Sequence, residues 1–434
     1  MRAFLALLLA GAILSGCGGG GSGTSTQTVL PPIGPIGARG PLFETPLSAS
    51  AFGDAIGVNT HMSYVVGGYN TDFARWAPLL KASGIKHVRD GVCPTFVAVA
   101  WCIGTLAPRM NELASAGITF DLVTSMNDPF SYVAAYANTL AVAPAIESYE
   151  GPNECDVSTD CPRNWPAAQP QWQEELYALK APGVTIVAPS MTSAQGYSAL
   201  GDISAYADEG NIHDFPAADE PESSFATQLH LQWAAYMTGN DPVWCTEDGY
   251  NTDPTYANNG VPQVVQERYL PRILFEHLRL GVMRTYIYQL FDFGPDGGSN
   301  MGLLSVNYTP KPAWTRLTQL MQLFADSGAA TRTPLAYAIT GDTTGTLDHV
   351  LFQRSDGTYL LALWLARPVY DPGTRSVLPI AQENVTVSLP ASTASASLTA
   401  FGDNGAVATS TLTGTTGTFT LPARSTVSVL QFRP

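Results

Sequence analysis

Residues 145–154 read AIESYEGPNE, and this stretch indicates the fold because it is one copy of a unit that recurs along the chain. In each unit a short β-rich run ends in a polar loop, and a stretch with helical periodicity follows. The strand-like runs lie at residues 55–59, 85–89, 118–123, 145–150, 184–188, 211–213, 242–246 and 284–288. Alternation of this kind predicts parallel strands, and eight units in roughly 270 residues predict a (β/α)8 TIM barrel of the α/β class.

A doubly wound parallel sheet is the alternative fold for an alternating pattern. That fold usually carries a glycine-rich phosphate loop directly after its first strand. Neither GxGxxG nor GxxxxGK[ST] follows the first predicted strand at residues 55–59. The barrel is therefore the favoured fold.

Composition limits the classes of protein that fit. The chain has 434 residues, of which 45% are hydrophobic and 13% charged, and this excludes the low-hydrophobicity pattern of disorder. Such a length suits one large domain plus a smaller one. With 21 Lys and Arg against 36 Asp and Glu, nucleic acid is not an expected partner, because phosphate binding needs a basic face. After residue 16 no apolar run approaches the roughly 20 residues of a membrane-spanning helix.

The composition changes from about Thr333, where Thr, Ser, Ala and Gly dominate. Strand-like runs separated by turn signals such as Asp356-Gly357 predict a small antiparallel β-sandwich after the barrel. It is expected to pack against the barrel, and carbohydrate binding is its alternative role. The predicted divisions are a signal peptide at 1–16, a flexible tether at 17–46, the barrel at 47–328 and the sandwich at 329–434.

The N-terminus has the pattern of an export signal. Arg2 precedes an apolar run at residues 3–14, which is typical of a secretory signal peptide. The run ends in LSGC at residues 14–17, which resembles the bacterial lipobox, and Cys17 would then be lipidated; an ordinary signal peptide with a chance Cys is the alternative. Gly18 rather than Asp follows Cys17, which in Gram-negative lipoproteins indicates the outer membrane. We expect an exported protein of a Gram-negative bacterium, at the outer membrane, cell surface or periplasm, that touches the membrane only through its lipid.

Six cysteines are present, and five remain when Cys17 is assigned to lipid. An exported chain can keep disulfides, and we expect two local pairs, Cys93–Cys102 and Cys155–Cys161; cross-pairing is the alternative. Cys245 lies in an apolar strand-like run and is expected to be a buried, inert thiol. There is no CxxC and no His pair at metal-ligand spacing, so we expect neither a zinc site nor a cofactor.

Two carboxylates fall where a parallel barrel builds its active site, at the C-terminal ends of strands. Glu154 follows predicted strand four, and Glu247 follows predicted strand seven. Strands four and seven face each other across the mouth of a closed ring of eight. Two carboxyl groups across a cleft suit glycoside hydrolysis, in which one protonates the leaving oxygen and the other attacks or activates water.

Asn153-Glu154 after strand four, together with Glu247 after strand seven, resembles glycoside hydrolase clan A. Members of that clan have (β/α)8 barrels that act with retention of configuration. The resemblance covers most of residues 53–320 and extends to the attached sandwich, nearest to the group around families 39, 51, 79 and 5. It implies that Glu154 is the general acid/base and Glu247 the nucleophile of a retaining glycoside hydrolase. We expect a monomer that cuts a β-linked polysaccharide or oligosaccharide internally.

The resemblance also implies roles for neighbours of the two carboxylates. Asn153 would bond the sugar 2-hydroxyl. Arg89 ends strand two, where clan members often place an Arg that would keep Glu247 ionised. His213 ends strand six, where the clan often has His-x-Tyr.

The sequence departs from the clan pattern at two places. Phe215 stands where many members have Tyr, so a hydroxyl that usually contacts the nucleophile is either missing or comes from elsewhere, with Tyr64 and Tyr250 as the candidates. The strand-eight Trp that commonly floors the sugar site is not obvious. The remaining expected substrate-binding residues are His61 and Asn59 at the end of strand one, Tyr288 at the end of strand eight, and Trp101 in the loop after strand two, for which core packing is the alternative.

Two other functions fit the same features. A transglycosylase that remodels an exopolysaccharide or envelope glycan would use the same scaffold with a sugar acceptor. A non-catalytic surface lipoprotein would bind glycan without cutting it. All three hypotheses have carbohydrate as the partner.

Overall fold

The computed structural model describes residues 42–434 apart from 65–66, 94–98, 128–129, 131–144, 224–225, 257–258, 295–299 and 415. Two short strands, β1 and β2, precede the eight parallel strands β3–β10. Their bounds are β1 Leu42–Glu44, β2 Leu47–Ser48, β3 Ile56–Asn59, β4 His87–Gly91, β5 Thr119–Val123, β6 Ile146–Glu150, β7 Thr185–Val187, β8 Gly210–His213, β9 Val243–Asp248 and β10 Val282–Ile287.

The eight parallel strands form a nearly closed barrel. Their order is β7-β6-β5-β4-β3-β10-β9-β8, and a parallel bridge between Val187 and Glu209 links the two ends of the sheet. The backbone N–H of Ala188 also donates to the carbonyl of Glu209 at 2.9 Å. The predicted (β/α)8 fold is confirmed, and the doubly wound alternative is excluded because its sheet stays open.

Helices lie between and after the strands. Their bounds are Ala49–Asp54, Gly68–Thr71, Phe73–Ser83, Val99–Trp101 running through a π-helical turn at Cys102–Leu106 into Ala107–Ala114, then Trp165–Ala178, Ala194–Leu200, a 3₁₀ turn at Ser204–Tyr206, Ala226–Thr238, Gln263–Leu280 and Pro312–Phe324. Among the described residues, every helix falls short of the length and apolar character needed to cross a bilayer.

The helices cover the barrel with their apolar faces. Helix Phe73–Ser83 buries Trp76 and Leu80 in the same cluster as the strand residue Val58. The helix stops at Gly84, whose φ of 88° is in the left-handed region that glycine adopts without steric cost. The backbone therefore reverses direction at Gly84 and continues into β4. The apolar face of the helix stays buried against the barrel.

The C-terminal region is a β-sandwich, as predicted. Its strands are β11 Leu335–Thr340, β12 Leu347–Gln353, β13 Tyr359–Leu365, β14 Tyr370–Asp371, β15 Ser376–Val377, β16 Gln382–Ser388, β17 Ser395–Phe401, β18 Val407–Thr413, β19 Thr418–Arg424 and β20 Ser428–Phe432. One sheet has the order β1-β11-β16-β19, and the other has the order β18-β17-β20-β13-β12-β2. Leu361, Leu398 and Phe419 are buried in the core between them.

Residues 42–48 belong to this sandwich, which differs from the predicted end of the tether and start of the barrel. Leu42–Glu44 pairs antiparallel with β11, and Leu47–Ser48 pairs parallel with β12. The sequence pattern missed this because two strands of three and two residues carry too little alternation to be recognised. The sandwich is therefore built from both ends of the described chain, and the other domain boundaries stay predictions.

Buried arginines fasten the sandwich to the barrel. Arg268, on helix Gln263–Leu280, makes a two-pronged ion pair with Asp403 at 2.8 Å for each hydrogen bond. On the same helix, Glu267 accepts hydrogen bonds from Arg316 and from the backbone N–H groups of Asn404 and Gly405. These contacts join helices of the barrel to the β17–β18 turn.

The expected local cysteine pairs lie at disulfide distance. The Cα–Cα separation is 6.1 Å for Cys93–Cys102 and 5.3 Å for Cys155–Cys161. Cys245 is fully buried, and burial raises the pKa of its thiol well above the usual value. A protonated, inaccessible thiol has little nucleophilic reactivity.

Candidate active site

Parallel pairing brings polar residues level at the carboxyl edge of the barrel. Asn59 on β3 pairs with Arg89 on β4, and His213 on β8 pairs with Glu247 on β9. Glu150, the last residue of β6, also lies at this edge. The carboxyl edge of the barrel thus brings together side chains that are far apart in sequence.

A bulge at the end of β9 aims Glu247 into the mouth. The register shifts just before the His213–Glu247 pair, which leaves Thr246 as an extra residue on β9. In a regular strand Thr246 and Glu247 would face opposite sides of the sheet, and a bulge removes that constraint. The Thr246 hydroxyl reaches Nε2 of His213 at 3.0 Å, while Oε1 of Glu247 lies 2.6 Å from Nη1 of Arg89.

Arg89 is the centre of the site, and it is 4% exposed. Its Nε and Nη2 donate to the two oxygens of Glu150 at 2.6 and 2.8 Å. Its Nη1 donates to Asn59 at 3.0 Å and to Glu247, and its Nη2 also donates to Oδ1 of Asn153 at 2.7 Å. A planar guanidinium can hold four partners in fixed directions, which a lysine ammonium cannot.

Glu154 lies in the loop after β6 and faces His213. Its Oε1 is 2.6 Å from Nδ1 of His213. The backbone at Glu154 has φ of 47°, in the left-handed region, and its N–H donates to the carbonyl of Ser190 at 3.1 Å. Such a conformation costs a non-glycine residue free energy, and it is typical of functional sites where the surroundings hold it in place.

The two glutamates meet across His213. One carboxylate oxygen of Glu154, one of Glu247 and a ring nitrogen of His213 all lie within 4.8 Å of one another. The side chains of the glutamates are 20% and 13% exposed, so both reach the surface of the mouth. The sequence expectation that they face each other at the barrel mouth agrees with this geometry.

The charges of the site are tightly linked. Burial raises the pKa of Glu154, but the hydrogen bond and charge of His213 and the charge of Arg89 outweigh it, so that pKa is lowered. Burial raises the pKa of Glu247; the charges of His213 and Arg89 act against this, Glu154 adds to it, and the pKa stays raised. Burial lowers the pKa of His213, but the two glutamates outweigh it and raise that pKa. In the free site the proton shared by His213 and Glu154 thus favours the imidazole.

Asn153 and Glu150 support this arrangement from opposite sides. Oδ1 of Asn153 accepts from Arg89 and, at 3.4 Å, from the Ser190 hydroxyl. Because Arg89 and Ser190 both donate to Oδ1, the NH₂ group of Asn153 points away from these two residues. Glu150 is fully buried, so it holds Arg89 without reaching the mouth.

Two further predicted residues, His61 and Tyr288, belong to an aromatic group beside Glu247. The His61 ring lies 5.6 Å from Tyr288, 4.6 Å from Tyr64 and 4.9 Å from Phe293. The charge of Glu247 acts on the hydroxyls of both Tyr288 and Tyr64. Tyr64 is therefore better placed than Tyr250 to supply the hydroxyl that Phe215 lacks.

Three other predicted substrate-binding residues are held by contacts within the protein. Tyr250 is 1% exposed, stacks on Tyr269 at 5.2 Å and donates its hydroxyl to the Asp219 carbonyl, so it is a core residue. Asn59 is buried beneath Arg89, and its Nδ2 donates to the Thr246 carbonyl at 3.0 Å. Trp101 packs partly buried against the barrel core. Strand periodicity gives positions along a strand but not which ring turns inward.

Sequence reasoning missed two residues of the site. Thr246 joins His213 to Asn211 and Glu150, with hydrogen bonds of 2.9 Å to Asn211 and 3.3 Å to Glu150. It lies before Glu247, where only a bulge turns both residues inward, and no sequence signal marked that bulge. Phe293 lies in the loop after β10, whose conformation follows from tertiary contacts.

Two groups of described residues have the side-chain types and spacing to hold a metal ion. One is Glu154, His213 and Glu247 themselves. The other is Cys245 and Asp248 on β9 with His277 on helix Gln263–Leu280, and all three are buried. Nε2 of His277 already lies 3.5 Å from Asp248 and 3.2 Å from Asp214, as expected for a buried hydrogen-bonded network.

The fold is that of known glycoside hydrolases. No protein-family model matches the sequence, and no curated protein matches it. Solved structures that are similar to the chain include three glycosidases. A family 39 glycoside hydrolase from the gut symbiont Bacteroides cellulosilyticus WH2 has a TM-score of 0.56 at 14% identity, over 89% of this chain and 82% of that one.

The other two are similar over nearly their whole length. A glucosidase from Croceicoccus marinus has a TM-score of 0.61 at 8% identity, over 92% of this chain and 98% of that one. The catalytic domain of GH30 xylanase C from Talaromyces cellulolyticus has a TM-score of 0.53 at 11% identity, over the same shares of 92% and 98%. At these identities the likeness establishes the architecture, a barrel with a β-sandwich, and leaves the chemistry to be argued from the site.

Proposed function

We propose that the protein is a retaining glycoside hydrolase that cleaves a polysaccharide or oligosaccharide by double displacement. The observation that carries this proposal is the pair Glu154 and Glu247, with oxygens within 4.8 Å at the barrel mouth. Retaining enzymes hold their carboxyl groups about 5–5.5 Å apart, whereas inverting enzymes leave about 6.5–9.5 Å for a water molecule. The glycosidases that share the fold support the same class.

Glu247 is the nucleophile in this proposal. Its Oε1 is held at 2.6 Å by Arg89, and His213 lies 3.9 Å from its Oε2. These two groups favour the carboxylate against the effect of burial. The carboxylate attacks the anomeric carbon as the bond to the leaving oxygen breaks, which gives a glycosyl ester on Glu247.

Glu154 is the general acid and then the general base. The proton that it shares with His213 passes through Glu154 to the leaving oxygen. In the second step Glu154 takes a proton from water, whose oxygen attacks the anomeric carbon and releases Glu247. The short contact with His213 supplies the proton that a carboxyl group with a lowered pKa would otherwise lack.

Activity and stereochemistry of the full-length protein test the proposal. A glycan panel is screened with the wild type, Glu154→Gln and Glu247→Gln, and we expect one glycan class to be cut and each variant to lose at least about 10³-fold in rate. NMR of the first products should show the anomeric configuration of the substrate. Inverted first products would exclude the retaining mechanism, and full activity of both variants would exclude this site. Early products of many sizes would support the internal cleavage that we expect.

Transglycosylation is the second candidate from the sequence, because the glycosyl ester on Glu247 reacts with a sugar hydroxyl as it does with water. The same screen with added oligosaccharide acceptors separates the two activities. If products longer than the substrate dominate at low acceptor concentration, the activity is transglycosylation rather than hydrolysis. Hydrolysis products alone would support the first proposal.

We also propose that the enzyme is anchored through lipid on Cys17, although that residue lies outside the described part of the chain. The support is the LSGC sequence at residues 14–17 and the Gly- and Ser-rich segment after it. Wild type and Cys17→Ser are expressed in a Gram-negative host and fractionated. The wild type should enter the detergent phase with a lipid mass increment, and an unlipidated wild type would contradict the anchor.

A further inference from the structure

The cations at the candidate active site have no capacity left for an anionic sugar. All five N–H donors of Arg89 are engaged by Glu150, Asn59, Glu247 and Asn153. Its guanidinium is therefore a fixed part of the protein and cannot turn to meet a substrate carboxylate.

The two histidines of the site do not change this balance. His213 uses one ring nitrogen for Glu154 and the other for the Thr246 hydroxyl. Burial and the nearby Arg89 charge lower the pKa of His61 to about 3, so its ring is neutral at ordinary pH. The internal segments that the structure leaves undescribed contain no Lys, Arg or His, so they add no cation to the mouth.

The group of charges around Arg89 is acidic instead. Glu150, Glu154 and Glu247 outnumber Arg89 and His213 by three carboxylates to two cations. The loop after Glu154 exposes one charge of each sign, Asp160 and Arg163, so it does not reverse this excess. A negative charge on the sugar would add to the excess and be repelled.

The surface beside Glu247 suits the faces of an uncharged sugar ring. Tyr64 and Phe293 are 54% and 42% exposed, which is high for aromatic rings, and His61 lies against both of them. Sugar C–H groups pack on aromatic faces. Nε2 of His61 is buried and lacks a partner at normal hydrogen-bond distance among the described residues, although the Gln289 side chain also acts on the ring.

We propose that the sugar attacked by Glu247 is uncharged, and that one of its hydroxyl groups hydrogen-bonds Nε2 of His61. This inference rests on the proposed function and adds the class of sugar to it. In this proposal the exposed Tyr64 or Phe293 ring turns aside when the sugar binds, and Nε2 then reaches the sugar hydroxyl. His61 is then a specificity residue that touches substrate, and Tyr64 and Phe293 cover the ring face.

Hydrolysis in H₂¹⁸O by the full-length protein identifies that sugar directly. Water attacks the anomeric carbon of the glycosyl ester, so ¹⁸O enters the sugar that was bound to Glu247. Neutral glycans, uronate glycans and mixed glycans are digested, and tandem mass spectrometry locates the label. We expect ¹⁸O only on neutral hexose or pentose residues, with at least about 100-fold lower rates for cleavage on the reducing side of a uronate. Label on a uronate at a comparable rate would overturn the inference.

The failure of this inference differs from failure of the proposed function. Uronate labelling that is lost in Glu247→Gln keeps the glycosidase and removes the neutral-sugar claim. A panel in which the wild type cuts nothing removes the proposed function, and the inference falls with it.

The role of His61 is tested on the substrate found in this way. His61→Phe keeps the ring but removes the hydrogen bond, and we expect kcat/KM to fall by about 10- to 100-fold on that substrate. On the deoxy sugar that lacks the partner hydroxyl, wild type and variant should be equal, and His61→Gln should recover part of the loss. Tyr236→Ala, an exposed ring on helix Ala226–Thr238, is the control. An equal loss on every deoxy analogue would show that His61 only supports the fold.

Discussion

At the scale of single residues, His213 links the protonation of Glu154 to that of Glu247. One nitrogen lies 2.6 Å from Glu154 and 3.9 Å from Glu247, and the other is fixed by Thr246. One imidazole therefore contacts or faces both carboxylates. Its pairing with Glu154 also explains how a carboxyl group with a lowered pKa still has a proton within reach.

Replacing His213 should move the acid limb of the pH–rate profile. Burial raises the pKa of Glu247, and His213 is the strongest of the groups that lower it. In His213→Gln that pKa rises further, so Glu247 becomes protonated earlier as the pH falls, and the acid limb of kcat/KM moves to higher pH. The profile is measured on an aryl glycoside with a good leaving group. A limb that stays in place, or moves to lower pH, would contradict this assignment.

Arg89 should not tolerate the conservative change to lysine. Lys has three donors without the planar fork, so Arg89→Lys leaves buried Glu150 partly unpaired. We expect about 3 kcal/mol lower free energy of unfolding and at least about 10²-fold lower kcat/KM. Urea unfolding and steady-state kinetics measure the two effects.

The control for this change is Arg75→Lys. Arg75 has a side chain 58% exposed and pairs with Asp72 at 3.5 Å, so the swap should change stability by less than about 0.5 kcal/mol. Equal effects of the two substitutions would show that Arg89 is not organised as described.

The closure of the barrel is the informative feature at the scale of elements. β7 and β8 meet through the bridge at Glu209 rather than along a full ladder. Burial and the neighbouring Asp208 raise the pKa of Glu209 to about 7, and its Oε2 has no hydrogen-bond partner among the described residues. A carboxylate is therefore held at a seam that favours its neutral form.

Glu209→Gln should stabilise the protein in a pH-dependent way. The pKa of Glu209 is raised in the folded state above the value of about 4.3 expected in the unfolded chain, so its ionisation weakens the fold as pH rises between these values. We expect the variant to gain about 1 kcal/mol at pH 8 and almost nothing at pH 4, measured by urea unfolding. Glu174→Gln, at an exposed position on helix Trp165–Ala178, should show no such dependence. A gain that is equal at both pH values would reject the explanation.

The barrel and sandwich are joined at the scale of the whole molecule by buried polar contacts. Glu267 is 2% exposed, and it accepts a hydrogen bond of 2.9 Å from Arg316 and two of 2.7 Å from the backbone of the β17–β18 turn. The sandwich also contains β1 and β2 from the start of the described chain. It is built as a fixed part of the molecule.

Glu267→Gln should weaken both regions together. It removes the charge partner of buried Arg316, for which we expect about 3 kcal/mol lower free energy of unfolding. Hydrogen exchange followed by mass spectrometry should show barrel and sandwich peptides losing protection in the same denaturant range. Glu174→Gln, at an exposed position on helix Trp165–Ala178, should leave stability unchanged. Exchange of the sandwich at much lower denaturant would show that it is an independent module.

The architecture, and the positions of Glu154 and Glu247 after strand ends, could be predicted from the amino-acid sequence alone. Eight strand-like runs with helices between them specify a (β/α)8 barrel, because alternating elements bury their apolar faces in that arrangement. Topology then placed Glu154 and Glu247 at one edge, since the carboxyl ends of parallel strands meet there. Local cysteine spacing of nine and six residues also indicated which pairs lie together.

Which side chains point into the barrel mouth depends on tertiary contacts that the sequence pattern does not reveal. The bulge at Thr246 turns Glu247 inward, and Tyr250, which follows it closely in sequence, packs into the core instead. Asn59 lies at the predicted strand end, but its side chain is buried beneath Arg89 and is occupied by hydrogen bonds to Arg89 and to the Thr246 carbonyl. These outcomes follow from contacts between residues that are far apart in sequence, and strand periodicity carries no information about such contacts. The same reason explains why β1 and β2 were found only when their partners, β11 and β12, were in place.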